Sequence, residues 1–371
     1  KMSRKKLFTV ITFCIANFFN GLFYSILAPF FPTEAQKKEI SSTQVGLVFG
    51  SFELVLIIVS PFYGNYLNKI GAKFMYITGI FVCGVCSILF GIIDKAPNGT
   101  PYFVLCLIVR MFEGLGAAAF GTASFAIMAY NFPKHIATMF GTLEMFTGLG
   151  LMAGPPIGGA LYELGGFASP FATLGSFILV IGLISIFMLS PYRVNDLPRK
   201  DSVFKLLKYP VITLTCLCLL AGSCSMGYLD VSLSVHLTKS FHLSPFWVGL
   251  VFLVEPLAYS IMSPIWGRIV EYKPKMSLYI ISFGYVMAGL SLFFIGPAPF
   301  FNIQSNLVLL ILCLIFGGLG ISTLTITFQI ITETTIAKGY PDTLSTYGLI
   351  SGLVNSFFSL GFFHNFFSHN I

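Results

Sequence analysis

Charged residues are scarce in this sequence. Asp, Glu, Lys and Arg together make up 9% of 371 residues, against roughly 25% in soluble domains. With 56% of the chain hydrophobic, a water-soluble globule is excluded. No interval between the apolar runs is long enough to house a soluble catalytic domain. Nor is there a phosphate-cradling loop, a cluster with metal-ligand spacing or a nucleophile with a nearby base, so neither catalysis nor ATP hydrolysis is supported and no cofactor is expected. The formal charge of +7 is dispersed over short connections. It never gathers into a basic patch interleaved with aromatics, which argues against nucleic acid as a partner. All eight cysteines fall within apolar runs, where disulfides are not expected and histidines for metal ligation are missing. Cys83-x-x-Cys86 therefore reads as small apolar packing. No cleavable signal peptide is read ahead of the first run.

What the chain does have is a succession of apolar runs near the length of about 20 residues that crosses a bilayer. They lie near residues 7–31, 44–67, 74–93, 102–130, 139–162, 170–190, 209–235, 245–267, 276–296 and 307–331, with an eleventh beginning near 346. Alternating the loops puts 16 of the 21 basic residues on one side: Lys1, Arg4, Lys5, Lys6, Lys69, Lys73, Lys134, Arg193, Arg199, Lys200, Lys205, Lys208, Arg268, Lys273, Lys275 and Lys338. The other side holds Lys37, Lys38, Lys95 and Lys239, and Arg110 sits within a span. The excess of positive charge on the cytosolic side of membrane proteins then predicts a cytosolic N-terminus. The sequon Asn98-Gly99-Thr100 falls on the opposite, lumenal side, which makes Asn98 a candidate glycosylation site.

The sequence repeats. Residues 45–68 align without gaps on 248–271, at an offset of 203: Val45-Gly46-Leu47-Val48-Phe49 matches Val248-Gly249-Leu250-Val251-Phe252, and Ser60-Pro61-x-x-Gly64 matches Ser263-Pro264-x-x-Gly267. At an offset of 204, Gly114-Leu115-Gly116 pairs with Gly318-Leu319-Gly320. Equivalent spans run in the same direction. The expected fold is thus an all-α polytopic membrane protein of two parallel repeats, with a substrate site between them near mid-membrane. The N-terminal half is assigned to 1–190, a cytosolic linker to 191–208 and the C-terminal half to 209–371. After Gly361, which aligns with Gly154, the repeat predicts Pro and a Gly-Gly pair. The chain instead reads Phe362-Phe363-His364-Asn365-Phe366-Phe367 and stops at Ile371, so a shortened eleventh span and a missing twelfth are expected.

Three motifs carry a resemblance. Gly64-x-x-x-Asn68-Lys69-x-Gly71-Ala72-Lys73, after span 2, resembles the loop motif of the major facilitator superfamily, with Asn68 in place of its acid and Ala72 in place of a basic residue. Arg110-x-x-x-Gly114-x-Gly116 in span 4 is similar to that superfamily's arginine motif. Gly150-x-x-x-Gly154-Pro155-Pro156-x-Gly158-Gly159 in span 5 resembles its antiporter motif. The resemblance implies the superfamily's fold of two six-helix repeats and alternating access. Asn20 through Pro29, Val45 through Lys73, Arg110 through Gly116, Gly154 through Tyr162 and Asp230 narrow it to the vesicular amine transporters, and within them to the branch that carries polyamines. Where monoamine relatives carry an acid in span 1, this chain has Asn20. Their span 2 lysine is replaced by Phe52 followed by Glu53, their neutral glutamine by Glu113, and their acid of span 11 by Asn355.

Ionisable groups inside a bilayer cost roughly 2.5–3.5 kcal/mol each on insertion scales, so they read by default as functional. Glu53, Glu113, Glu144, Asp230 and Glu255 lie within spans. Arg110 and Glu113, three apart on a helix, suit an internal ion pair. No other cationic residue within the spans remains to balance Glu53, Asp230 and Glu255. Either protons or a cationic substrate must do so, and one group able to hold a proton or an ammonium couples their opposite movements. Asp230 is the first candidate, from its match to the amine family's span 7 acid. Asn20 and Tyr24, with Asn17 beside them, and Tyr259 could add hydrogen bonds or cation–π contacts. Glu144, within two turns of the cytosolic end of span 5, reads as a solvated helix end. The expected function is proton-coupled antiport of spermine and spermidine from cytosol into acidic vesicles. The energy source would be the proton gradient, and the protein would act as a monomer in a secretory or synaptic-type vesicle membrane. The alternatives are a monoamine or organic-cation antiporter, or a truncated form that does not transport.

Overall fold

The computed structural model describes residues 4–27, 31–189, 203–243, 245–296 and 306–368. Asp230 lies on a helix, but its side chain is outside the described residues, as are those of Arg4 and Lys5. Lys1, Arg193, Arg199 and Lys200 also lie outside them.

The described residues form fourteen α-helices: α1 (Arg4–Ile26), α2 (Phe31–Lys37), α3 (Ser42–Ile70), α4 (Ala72–Ile92), α5 (Thr100–Asn131), α6 (Ile136–Gly165), α7 (Ala168–Met188), α8 (Pro210–Phe241), α9 (Pro245–Phe252), α10 (Val254–Tyr272), α11 (Ser277–Ile295), α12 (Leu307–Ile321), α13 (Thr325–Ala337) and α14 (Leu344–Ser368). Eleven segments are long and apolar enough to cross a membrane. With helices, whose backbone groups bond within the segment, as the spanning elements and apolar side chains such as Phe62, Phe112 and Phe187 on the outside, this is a multi-pass membrane protein.

Local chemistry sets the helix ends. Ser41 caps α3, its Oγ accepting the Gln44 N–H while Gln44 Oε1 accepts the Ser41 N–H at 2.9 Å. Gly71, at φ +91°, closes α3 and opens α4 through a backbone geometry that favours glycine. The eighth apolar run, expected as one span, is broken at Leu253 between α9 and α10. Pro256 explains the break, because its ring would clash with the carbonyl four residues earlier and it is tolerated in a helix's first turn. The tenth run is interrupted by a 3-10 turn at Ser322–Leu324. There Ser322 and Thr323 bond the carbonyls of Leu319 and Gly320, each at 2.7 Å, a local competition that tightens or bends helices.

Helices α1 to α7 pack into one bundle and α8, α10 and α12 to α14 into another, joined by two main seams, α3 against α14 and α6 against α10. The seams are lined by glycine and serine, so backbones touch. A Cβ on Gly64 would meet the Gly348 carbonyl, and one on Gly267 would meet the Ala137 carbonyl at 2.5 Å. The repeat reappears in the packing: Gly154 lies on Leu22 and Ser25 of α1, and Gly361 lies on Leu220 and Ser223 of α8. The face at which α1 begins is termed the first face, and the other the second. The first face is plugged where the bundles meet by Phe125 (α5), Phe140 (α6) and Phe328 (α13), with Phe140 and Phe328 stacked at 4.9 Å and Phe125 4.6 Å from Phe140.

Candidate functional site

The long helix α5 places Arg110 and Glu113 one turn apart, facing α1, α3 and α4. Arg110 is 1% exposed, and its Nη1 donates to Glu113 Oε2 at 2.7 Å. The intrahelical ion pair is as the spacing predicts. Its guanidinium lies over the Phe52 ring, 4.6 Å from the centroid, and its Nε and Nη2 have no hydrogen-bond partner among the described residues. A small cavity, with room for about one water, is bounded by this pair together with Asn20, Phe23, Tyr24, Phe52, Cys83 and Ala117.

Glu53 adjoins the cavity from α3. It is 4% exposed and lies near Arg110, Tyr24 and Ser359 of α14. Glu53 thus stands beside the α3–α14 seam. Asn355 Nδ2, also on α14, donates to Thr122 Oγ1 of α5 at 3.4 Å, and Ser356 Oγ donates to the Ile57 carbonyl at 2.7 Å. The local charge, counting Glu53, Glu113 and Arg110 as ionised, is one negative.

Of the other expected residues whose side chains are described, Asn17, Glu255 and Tyr259 are not in this cluster. Asn17 is satisfied within the bundle, donating to the Phe13 carbonyl at 2.8 Å and to Ser124 Oγ at 3.2 Å. Glu255 occupies the first turn of α10, half-buried, with Oε1 against Gly317 of α12. Tyr259 is 4% exposed and points away from the cavity, its hydroxyl donating to Glu144 Oε2 at 3.0 Å. That bond corrects the reading of Glu144 as a solvated helix end. It lies eight residues into α6, about 12 Å along the axis, and faces α10 across the second seam. Counting from the helix end could not find this, because the partner is 115 residues away.

The loop motif sets a cation against a helix end. Lys73 Nζ donates to the carbonyls of Ile186 and Leu189, at 2.8 and 2.5 Å, a cation at the C-terminus of α7 within the same bundle. Lys69 lies over the ring of Tyr66, one turn back, and Asn68 Oδ1 is buried with no hydrogen-bond partner among the described residues. The acid stands at the repeat-related position instead. Glu271, 203 residues after Asn68, accepts the N–H of Thr138 at 2.7 Å in the first turn of α6. His135 Nδ1 lies 3.0 Å from the same carboxylate and 3.3 Å from Arg268 Nη1.

In the span 5 motif, Gly150, Gly154 and Gly158 let α6 lie directly on α1, against Phe18, Leu22 and Ile26. Gly159 meets no such neighbour, and Pro155 and Pro156 are accommodated without ending the helix. Asn98 is exposed in the turn before α5, on the second face.

A family profile described as Major Facilitator Superfamily matches residues 13–363. The chain is 39% identical over 365 residues to the MFS-type transporter SLC18B1 of Mus musculus, covering 98% of this chain and 79% of that one. It is 26% identical over 265 residues to the synaptic vesicular amine transporter of Homo sapiens, covering 70% and 50% of the two chains. The crystal structure of the human organic anion transporter MFSD10 (TETRAN) superposes with a TM-score of 0.77 at 15% identity, covering 98% of this chain and 92% of that one. That last likeness is one of fold.

Proposed function

The chain belongs to the Major Facilitator Superfamily, and from that premise we propose that it is a proton-coupled antiporter loading linear polyamines, such as spermine and spermidine, from the cytosol into acidic vesicles by alternating access. The observation that carries this reading is the buried trio of Glu53, Arg110 and Glu113 where the bundles meet. Glu113 takes the Arg110 guanidinium and Glu53 has no ion-pair partner among the described residues, so an ammonium or a proton is needed for neutrality. A buried charge left without compensation is strongly unfavourable. Exchange of one for the other at Glu53 therefore couples the two movements. Asn20, Tyr24 and Phe52 beside the trio offer an amide, a hydroxyl and ring faces to an ammonium group.

In this conformation the cavity is too small for a polyamine. Loading then requires the bundles to part at the first face, breaking the Phe125–Phe140–Phe328 plug and the Glu271 contacts. Taking the basic first face as cytosolic, the conformation is the one closed to the cytosol. In the acidic lumen, protonation of the carboxyl would displace the amine; facing the cytosol, its loss would permit reloading. Asn98, on the second face, would be lumenal and open to glycosylation.

Purified protein in liposomes with an imposed acid-inside gradient tests the reading. Labelled spermidine is expected to accumulate, to stop when the gradient is collapsed, and to be competed by spermine more effectively than by a monoamine. Monoamine accumulation without spermidine uptake would replace the polyamine assignment with the monoamine one.

A further inference from the structure

The two seams are alike in one chemical respect. On the α3–α14 seam the Glu53 carboxyl lies near Ser359, and on the α6–α10 seam the Glu144 carboxyl accepts the Tyr259 hydroxyl at 3.0 Å. In each case an acid on a spanning helix of the first bundle stands beside a hydroxyl-bearing residue of the second. The surroundings differ. Glu53 shares its site with Arg110, Glu113 and the cavity, while Glu144 has none of these.

The charged and titratable groups on the helices around α6 are otherwise engaged or absent. The basic residues of α1 lie in its first turn, where Lys6 donates to the Asn131 carbonyl. On α5, Arg110 and Glu113 pair with each other. On α10, Glu271 is held by His135 and Thr138 near the first face, with Arg268 beside it, and Glu255 lies against Gly317 of α12. On α13, Glu333 accepts from Gln329, and α7 carries no charged residue. Tyr285 of α11 donates its hydroxyl to the Cys218 carbonyl of α8. Among the described residues, then, no cation forms an ion pair with Glu144. One turn further along α6, Gly148 leaves room for Ser260, which is 1% exposed and whose Oγ has no hydrogen-bond partner among the described residues. The seam therefore holds a carboxyl, a tyrosine hydroxyl already directed at it, and a second hydroxyl awaiting a partner.

We propose that Glu144, oriented by Tyr259, is a second proton-binding site, separate from the site that takes the amine. The proton is passed from hydronium, one of whose O–H bonds breaks to leave water, and it forms an O–H bond at Glu144 Oε1 while Oε2 continues to accept from Tyr259. The ionised form would retain only this one neutral donor, so the carboxyl is neutral while the seam is closed. It gives the proton up when α6 and α10 separate and water reaches both oxygens. Protonation is then a condition of closing the first face, and the energy of the gradient is drawn at this seam as well as at Glu53.

The consequence for transport rests on the proton-coupled reading above, but the bound proton can be observed without substrate. Infrared difference spectra of the purified full chain across a pH titration should contain the carbonyl band of a protonated carboxylic acid. That band should vanish in Glu144→Gln and shift in Tyr259→Phe, where the hydrogen bond is removed. In liposomes, Glu144→Gln, a neutral isostere, should lower gradient-driven spermidine accumulation by about tenfold or more, while spermidine counterflow without a gradient stays near the wild-type rate. Retained counterflow also shows that the variant is folded. An infrared band unchanged in Glu144→Gln overturns the proposal, as does accumulation equal to wild type or counterflow lost together with accumulation. Should the wild-type protein move no polyamine, the reading of its function fails, and the infrared titration still decides this site.

Discussion

The carboxylate of Glu271, at the end of α10, accepts the backbone N–H of Thr138 in the first turn of α6. It is a helix cap supplied by the opposite bundle. Its carboxylate is 8% exposed and close to both His135 and Arg268, so it meets the positive end of the α6 dipole where the two bundles close. A cap of this kind is worth about 1 kcal/mol, enough to change a population ratio several-fold. Glu271→Gln is expected to favour the state open at the first face. The check is thiol labelling of Ala129→Cys, placed beside the aromatic plug in an otherwise cysteine-free chain. Labelling should be several-fold faster when Glu271 is replaced, and an unchanged rate would remove the latch from the account.

Arg110 and Glu113 separate stability from transport. Removing one partner of a buried pair leaves an uncompensated charge and costs about 3–5 kcal/mol, whereas replacing both by apolar residues is often neutral. Glu113→Leu should lower the melting temperature markedly. The double variant Arg110→Leu with Glu113→Leu should recover most of that loss, yet remain unable to accumulate polyamine. A double variant that transports normally would show that the pair is only structural.

Two glycines of the same chemistry predict different failures. Gly150 lies on α1 within one bundle, and Gly64 lies on α14 across a seam. Overpacking at either site costs on the order of 1–3 kcal/mol. Gly150→Leu should therefore lower thermal stability, while Gly64→Leu should leave the bundles folded and hold them apart. The Ala129→Cys labelling rate, compared with melting temperature, distinguishes the two outcomes.

Glu34 of α2 carries a pH dependence that can be given a sign. It accepts hydrogen bonds from the Tyr162 hydroxyl and from Lys37. Burial by itself would raise its carboxyl value, but these bonds and the charges of Lys37 and Lys38 outweigh it and hold the group below the ordinary glutamate value. A depressed folded value means that the tether contributes stability at every pH above about 4.3, and loses it only as pH falls through the lower folded value. Amide exchange in α2, corrected for intrinsic rates, should stay protected from about pH 7 to about pH 5. Loss of protection near neutral pH would contradict the assigned direction.

Much of this was legible in the sequence, for identifiable physical reasons. Arg110 and Glu113 pair because three residues on a helix bring side chains together. The seams follow from Ser60-Pro61-x-x-Gly64 and its copy at Ser263, since small residues are where helices can touch. The break at Leu253 had a local signal in Pro256, which hydropathy averaged over a window does not see. The contact of Glu144 with Tyr259 is not legible in the sequence, because it runs across the bundles and depth along one helix cannot encode it. Glu271 did leave a trace: the offset of 203 pairs it with Asn68, so the acid absent from the first loop motif could have been sought in the second copy.

The most direct test of the central claim is gradient-driven spermidine uptake by liposomes containing Glu53→Gln, with Arg110 and Glu113 intact. The neutral amide keeps the shape of the side chain and removes its capacity to exchange a proton for an ammonium. Uptake driven by an acid interior is expected to fall to the level of protein-free liposomes, with the melting temperature little changed. Uptake at the wild-type rate would contradict the account.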